Sequence, residues 1–87
     1  MPVRLSRRFL KAYDRLPVRI QTKVDKAVEL LDANPHHPSL QAKPIHHAPG
    51  IYECRVDQNY RLTYERLEED ILYLRVVGPH DETLARP

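Results

Sequence analysis

Gly50-Ile-Tyr-Glu-Cys-Arg-Val-Asp-Gln-Asn-Tyr-Arg-Leu-Thr-Tyr-Glu-Arg66 reads as two strands joined by the turn Asp57-Gln58-Asn59. Successive side chains of a strand point to opposite faces. Tyr52, Cys54 and Val56 therefore share one apolar side with Tyr60, Leu62 and Tyr64. Glu53, Arg55, Arg61 and Thr63 share the other. If Val56 pairs with Tyr60 across the turn, Arg55 lies opposite Arg61. The next strand, Ile71 to Val77, offers Leu72, Leu74 and Val76 to the same core, and matching that set places Arg75 beside Arg61. Like charges directly opposite one another destabilise a sheet. An anion bound across them would offset the repulsion, and the planar fork of arginine suits phosphate oxygens.

Outward from this hairpin, Val3 to Leu5 is a short strand and Ser6 a good N-cap. Leu5, Phe9, Ala12, Tyr13 and Leu16 then form one apolar stripe of a first helix. Pro17 closes that helix and suits the first turn of the next. In the second helix Ile20, Val24, Ala27, Val28 and Leu31 recur at helical spacing. Asn34-Pro35 stops it, because a residue before proline is pushed out of the α region. From His36 to Pro49 the chain reads as loop around a short strand near Leu40 to Pro44. Pro79 blocks further sheet pairing, leaving His80 to Pro87 as a tail. The expected fold is α+β: an N-terminal helix hairpin on one face of a mainly antiparallel four-stranded sheet, with the other face open and bearing the arginines.

Eighty-seven residues imply a single domain, 1–87, and a domain this small buries only about 60% of its unfolded surface. Its one cysteine, Cys54, falls on the apolar side and reads as a packed thiol. No apolar run approaches the ~20 residues of a membrane span, and no apolar signal core follows the charges of Met1 to Arg8. The expectation is a soluble, cytoplasmic chain with no membrane partner. Residues 1–43 hold nine Lys/Arg against four Asp/Glu, a balance of +5, while residues 44–87 hold five against eight, a balance of −3. The basic half fits approach to a polyanion, and equally two amphipathic helices with solvated faces.

The order and spacing of several segments resemble the RelE/ParE superfamily of bacterial toxins from type II toxin-antitoxin systems. The resemblance rests on the hairpin ending at Asn34-Pro35 and on His37-Pro38-Ser39-Leu40. It continues through Tyr52-Glu53-Cys54-Arg55-Val56, Tyr60-Arg61-Leu62-Thr63-Tyr64 and Val77-Gly78-Pro79-His80-Asp81. It implies an mRNA endoribonuclease, of a kind that typically cuts in the ribosomal A site, and a cognate antitoxin that wraps the toxin in a hetero-oligomer. Arg61 matches the arginine placed on the scissile phosphate, and Arg55 matches a basic position on the preceding strand. Glu53 stands where YafQ-like members carry an acid, and His80 occupies the loop position that other members fill with Arg or His. Leu84, Ala85 and Arg86 occupy the stretch where many members carry an aromatic.

Cleavage by a 2′-hydroxyl needs a base, cations on the phosphorane and an acid for the leaving 5′-oxygen. Arg61, Arg55, Glu53 and His80 are the catalytic candidates, and histidine, which titrates near neutrality, is the natural acid. Glu53 is either the base or an ion-pair partner for a neighbouring arginine. Arg75, Lys43 and Tyr73 are assigned to RNA contact, with Arg75 alternatively touching the antitoxin. His36, His37, His46 and His47 lack the carboxylates or cysteines that would complete a tetrahedral metal site. No metal or cofactor is assigned. A gyrase-binding, non-nuclease toxin of the same superfamily and a degenerate non-toxic relative are the alternatives.

Overall fold

Among the described residues the chain runs β1 (Val3–Leu5), α1 (Arg7–Asp14), α2 (Val18–Ala33), β2 (Lys43–Pro44), β3 (Ile51–Arg55), β4 (Tyr60–Arg66), β5 (Leu72–Pro79) and α3 (His80–Ala85), with 3₁₀ turns at Pro38–Leu40 and Glu68–Asp70. The computed structural model describes residues 1–87, the side chain of Glu69 excepted. The sheet has five strands, not four, in the order β1-β5-β4-β3-β2. β1 runs parallel to β5 and every other pair is antiparallel. Both outer strands, β1 and β2, are only two or three residues long, and both join the sheet as its fourth and fifth strands.

The start of each hairpin helix follows from local chemistry. Ser6 caps α1, its hydroxyl accepting the Phe9 amide at 2.9 Å. The Pro17 carbonyl accepts the amides of Ile20 and Gln21 at the head of α2, where proline's missing N–H is no loss. Asn34 takes an extended conformation ahead of Pro35 and ends α2. Phe9 of α1 and Ile20, Val24, Ala27 and Leu31 of α2 bury against Leu40, Cys54, Leu62, Tyr64, Leu72, Leu74 and Val77. Truncating a fully buried leucine of this kind costs about 2–5 kcal/mol, a large share of the stability of a domain this small.

Two expectations about the opposite face are corrected. First, β5 does not keep one alternation throughout. Thr63 pairs with Val76 but Tyr64 pairs with Leu74, so Arg75 is an unpaired bulge residue. Val77 therefore joins the core in place of Val76, and Arg61 faces Gly78 instead of Arg75. The Ser6 hydroxyl donates to the Arg75 carbonyl at 2.9 Å, so the cap of α1 also satisfies the bulge.

Second, His80 to Pro87 is not a tail. It forms α3 and crosses the face expected to be open. A Cβ on Gly78 would lie 3.0 Å from the Thr83 hydroxyl, so the missing side chain is what lets α3 sit down on β5. Beyond α3, the Pro87 main-chain oxygen accepts from the buried Thr63 hydroxyl at 2.9 Å and from Arg75 Nε at 3.0 Å. The Arg8 guanidinium donates to the Arg86 carbonyl, and His47 Nε2 lies 2.9 Å from the Leu84 carbonyl oxygen.

Candidate active site

Residues directly opposite on paired strands share a face, so the sheet register maps the candidate side chains in rows. One row reads Gly78, Arg61, Arg55. The next reads Val76, Thr63, Glu53, Lys43, and a third Arg4, Tyr73, Glu65, Ile51. The expected opposition of Arg55 and Arg61 is therefore present. Lys43 neighbours Glu53, whereas Tyr73 lies two rows from Arg61.

Arg61 is held from several sides. Its Nη1 donates to the carbonyl oxygens of Asp57 at 2.6 Å and Tyr60 at 3.0 Å, with Gln58 at 3.4 Å. Its Nε lies 3.7 Å from Glu53 Oε1, with the two side chains only 17% and 10% exposed. Among the described residues nothing engages Nη2, so its two N–H groups remain to meet a ligand. The turn that supplies these carbonyls is itself tied down. Asp57 Oδ1 accepts the amides of Asn59 and Tyr60, and Oδ2 pairs with Lys23 of α2 at 3.2 Å. Partial burial pushes the Asp57 carboxyl up. The Asn59 amide, Lys23 and the Tyr60 amide pull harder, and the net result lies below the usual carboxylate range.

His80 lies across a cleft from Arg61. The cleft, of about 550 Å³, is lined by Gln58, Asn59, Arg61, Pro79, His80, Asp81 and Glu82. Two backbone features place the imidazole there: Pro79 pairs with Tyr60, and the His80 amide donates to the Asn59 carbonyl at 2.8 Å. Asp81 Oδ1 is 2.9 Å from His80 Nδ1. His80 Nε2 has no partner among the described residues. Sequence reasoning missed Asp81 and Asp57 as orienting groups. The signal was there: Asp81 adjoins the candidate histidine, and an Asp two residues before Asn59 is a common side-chain cap of a turn.

The remaining candidates are dispersed. Arg55 lines a separate groove with Lys23, Lys26, Leu30 and Ser39. Arg75 pairs with Glu65 at 3.4 Å and reaches Pro87, away from Arg61. Glu53 is 7% exposed, with its Oε1 3.7 Å from Arg61 Nε. Cys54 behind it is buried in the core. Burial, and then the Glu53 carboxylate, push its thiol up to about 12 despite Arg61, so it is no nucleophile near neutral pH. His37 accepts the Ser39 amide within the loop, and His36 lines a small groove with Tyr52 and Tyr64. Among the described residues no helix is long and apolar enough to cross a membrane.

No curated protein sequence matches the chain. Solved structures show the same fold. The toxin-antitoxin complex RelBE2 from Mycobacterium tuberculosis contains a chain 23% identical, with a TM-score of 0.73 over 91% of this chain and 96% of that one. YafQ from E. coli is 20% identical, with a TM-score of 0.74 over 92% and 93%. The YoeB/ParE toxin from Agrobacterium tumefaciens is 15% identical, with a TM-score of 0.75 over 92% and 99%. The family model for the ParE toxin of type II toxin-antitoxin systems matches residues 3–84, from β1 through α3. The chain thus belongs to the ParE toxin family, within the RelE/ParE superfamily of type II toxins.

Proposed function

We propose that this toxin is an mRNA endoribonuclease working from the Arg61–His80 cleft. The observation that carries the reading is that Arg61, with its Nη2 unengaged among the described residues, and His80 line one open cleft. Arg61 holds a non-bridging oxygen of the scissile phosphate through Nη2. The 2′-hydroxyl attacks phosphorus and its proton passes to solvent. The bond to the 5′-oxygen breaks, and protonated His80 supplies the proton that the leaving oxygen needs, giving a 2′,3′-cyclic phosphate and a free 5′-hydroxyl. Glu53 orients Arg61 from behind, and Asp81 orients His80. The ribosome is the natural setting for such a shallow site, since it would supply the mRNA already stretched and positioned. Relatives solved as toxin-antitoxin complexes support a cognate antitoxin as the protein partner.

A second reading has its own support. The matching family model is the ParE one, and Asp81 and Glu82 set two negative charges beside Arg61 in the same cleft. Both features fit a toxin that binds a protein target such as gyrase without cutting RNA.

Expression of wild type, Arg61→Ala and His80→Ala at equal levels, without antitoxin, separates the two readings. Losing a preorganised phosphate contact costs about 10²–10³ in rate. The nuclease reading expects growth arrest and mRNA cleavage by wild type, neither by Arg61→Ala, and loss of the basic limb of the pH–rate profile in His80→Ala. Equal arrest by all three proteins, with intact mRNA, would establish the binding reading instead.

A further inference from the structure

A row of cations without carboxylate partners among the described residues lies outside the candidate active site, along α1. Arg7, Arg8, Lys11 and Arg15 line one groove of about 530 Å³, with Ala12 and Val76 forming its floor. All four cations are exposed, and among the described residues none of them has a carboxylate partner. The arrangement works against the helix that carries it. Arg7 and Arg8 occupy the first turn, where the helix dipole favours acids, and no acid is present there. Arg7 with Lys11, Arg8 with Lys11 and Lys11 with Arg15 are like-charge neighbours three or four residues apart, a destabilising spacing. A helix of eight residues has little intrinsic stability to set against this.

The groove also leads somewhere. Arg8, Ala12, Arg15 and Val76 line a second depression, which continues past Tyr60 to Pro79 and Glu82. Pro79 and Glu82 in turn line the cleft that holds Arg61 and His80. Basic groove and candidate active site are the two ends of one track over β5 and α3.

We propose that the α1 groove binds the sugar-phosphate backbone of a single nucleic-acid strand, delivering it along this track to the Arg61–His80 cleft. Delivery rests on the reading of that cleft as a nuclease site, but binding does not. The spacing of the cations suits a regular polyanion, since Arg8, Lys11 and Arg15 succeed one another by about 4.5–6 Å along the helix axis. The composition of the groove argues against an acidic protein segment. Protein interfaces draw their energy from buried apolar and aromatic anchors, and in the groove that holds all four cations only Ala12 and Val76 could receive one, Leu16, Pro17 and Tyr60 lying further along the track. Three arginines and a lysine, by contrast, suit phosphates with no apolar contact at all. Because the contacts proposed are to phosphates, which RNA and DNA share, strands of equal length should bind alike.

The test is a titration of purified toxin with fluorescent oligo(U) and oligo(dT) 12-mers across salt, for wild type and for Arg7→Gln/Lys11→Gln/Arg15→Gln. Arg8 is kept because it anchors Arg86. Wild type should bind both oligomers. The triple variant should melt no lower than wild type, yet bind more weakly, with the slope of log K against log salt shallower by about 2. A slope unchanged in the triple variant overturns the proposal. So does tighter, Arg7/Lys11/Arg15-dependent binding of a poly-glutamate peptide, which would assign the groove to an acidic protein. Oligo(dT) lacks the 2′-hydroxyl, so its binding persists even if the nuclease reading fails, and the two failures are told apart.

Discussion

The Arg61–His80 cleft and the α1 groove use the same kinds of side chain in opposite ways. In the cleft Arg61 and His80 are each held by other groups of the protein. Three carbonyls and Glu53 surround Arg61, Asp81 holds His80, and the turn behind them is tied to Lys23. Along α1 no carboxylate holds any of the four cations among the described residues, only Arg8 meets a carbonyl, that of Arg86, and the four repel one another. Held charges have a fixed direction at little cost when a ligand arrives, which is what stabilising a developing charge requires. Unheld charges project a field and attract, at some cost to the fold. One arrangement fixes direction and the other leaves charge exposed.

Three substitutions probe this contrast, in falling order of expected effect on stability. Gly78→Ala attacks the seat of the cleft. Its new methyl would meet the buried Thr83 hydroxyl at 3.0 Å, and a β-branched side chain has few rotamers with which to retreat. We expect a loss of about 1–3 kcal/mol in urea unfolding, with faster amide exchange over residues 80–85. Wild-type exchange in α3 would show that the helix does not depend on this close approach.

Asp57→Ala attacks the turn that aims Arg61. It leaves the amides of Asn59 and Tyr60 without their acceptor and frees Lys23, at about 1–2 kcal/mol. The same group sets a pH dependence. Its folded-state pKa lies below the unfolded one, so its contribution is complete above the unfolded value of about 3.9. As pH falls through the folded value, that contribution disappears. Stability should therefore drop below about pH 4 in wild type, by less in Asp57→Ala. Identical acid limbs in the two proteins would remove Asp57 from the account.

Arg7→Glu sharpens the other side. An acid in the first turn of α1 suits the dipole and relieves the repulsion with Lys11, for a gain of about 0.5–1 kcal/mol. A more stable toxin that binds oligonucleotides less well would show that α1 gives up stability for capture. A less stable one would mean that Arg7 has a structural partner after all.

The sequence patterns were legible wherever local chemistry settles the conformation. The Ser6 cap, Pro17, Asn34-Pro35 and the alternation through β3 and β4 appear where residue type and spacing put them. What escaped depends on contacts between distant segments. The doublet Val76-Val77 fits either phase of a strand, and only the pairing with β4, together with Ser6 bonding to the bulge, decides that Val77 faces inward. Likewise α3 has few apolar residues of its own, and its order comes from Gly78, Thr63 and His47. The candidate site was half legible for the same reason. Arg61 and His80 meet because Tyr60 pairs with Pro79, whereas the position expected for Arg75 assumed an unbroken strand.

The bond from the Ser6 hydroxyl to the Arg75 carbonyl has a further consequence, in time rather than in space. It joins positions 69 residues apart, and the parallel pairing of β1 with β5 spans the same interval. The first strand and the cap of the first helix thus wait for partners made 69 residues later. Long-range closures of this sort are slow, and emergence of the chain, at about 5–20 residues per second, adds seconds of delay. Until then neither the groove nor the cleft is assembled.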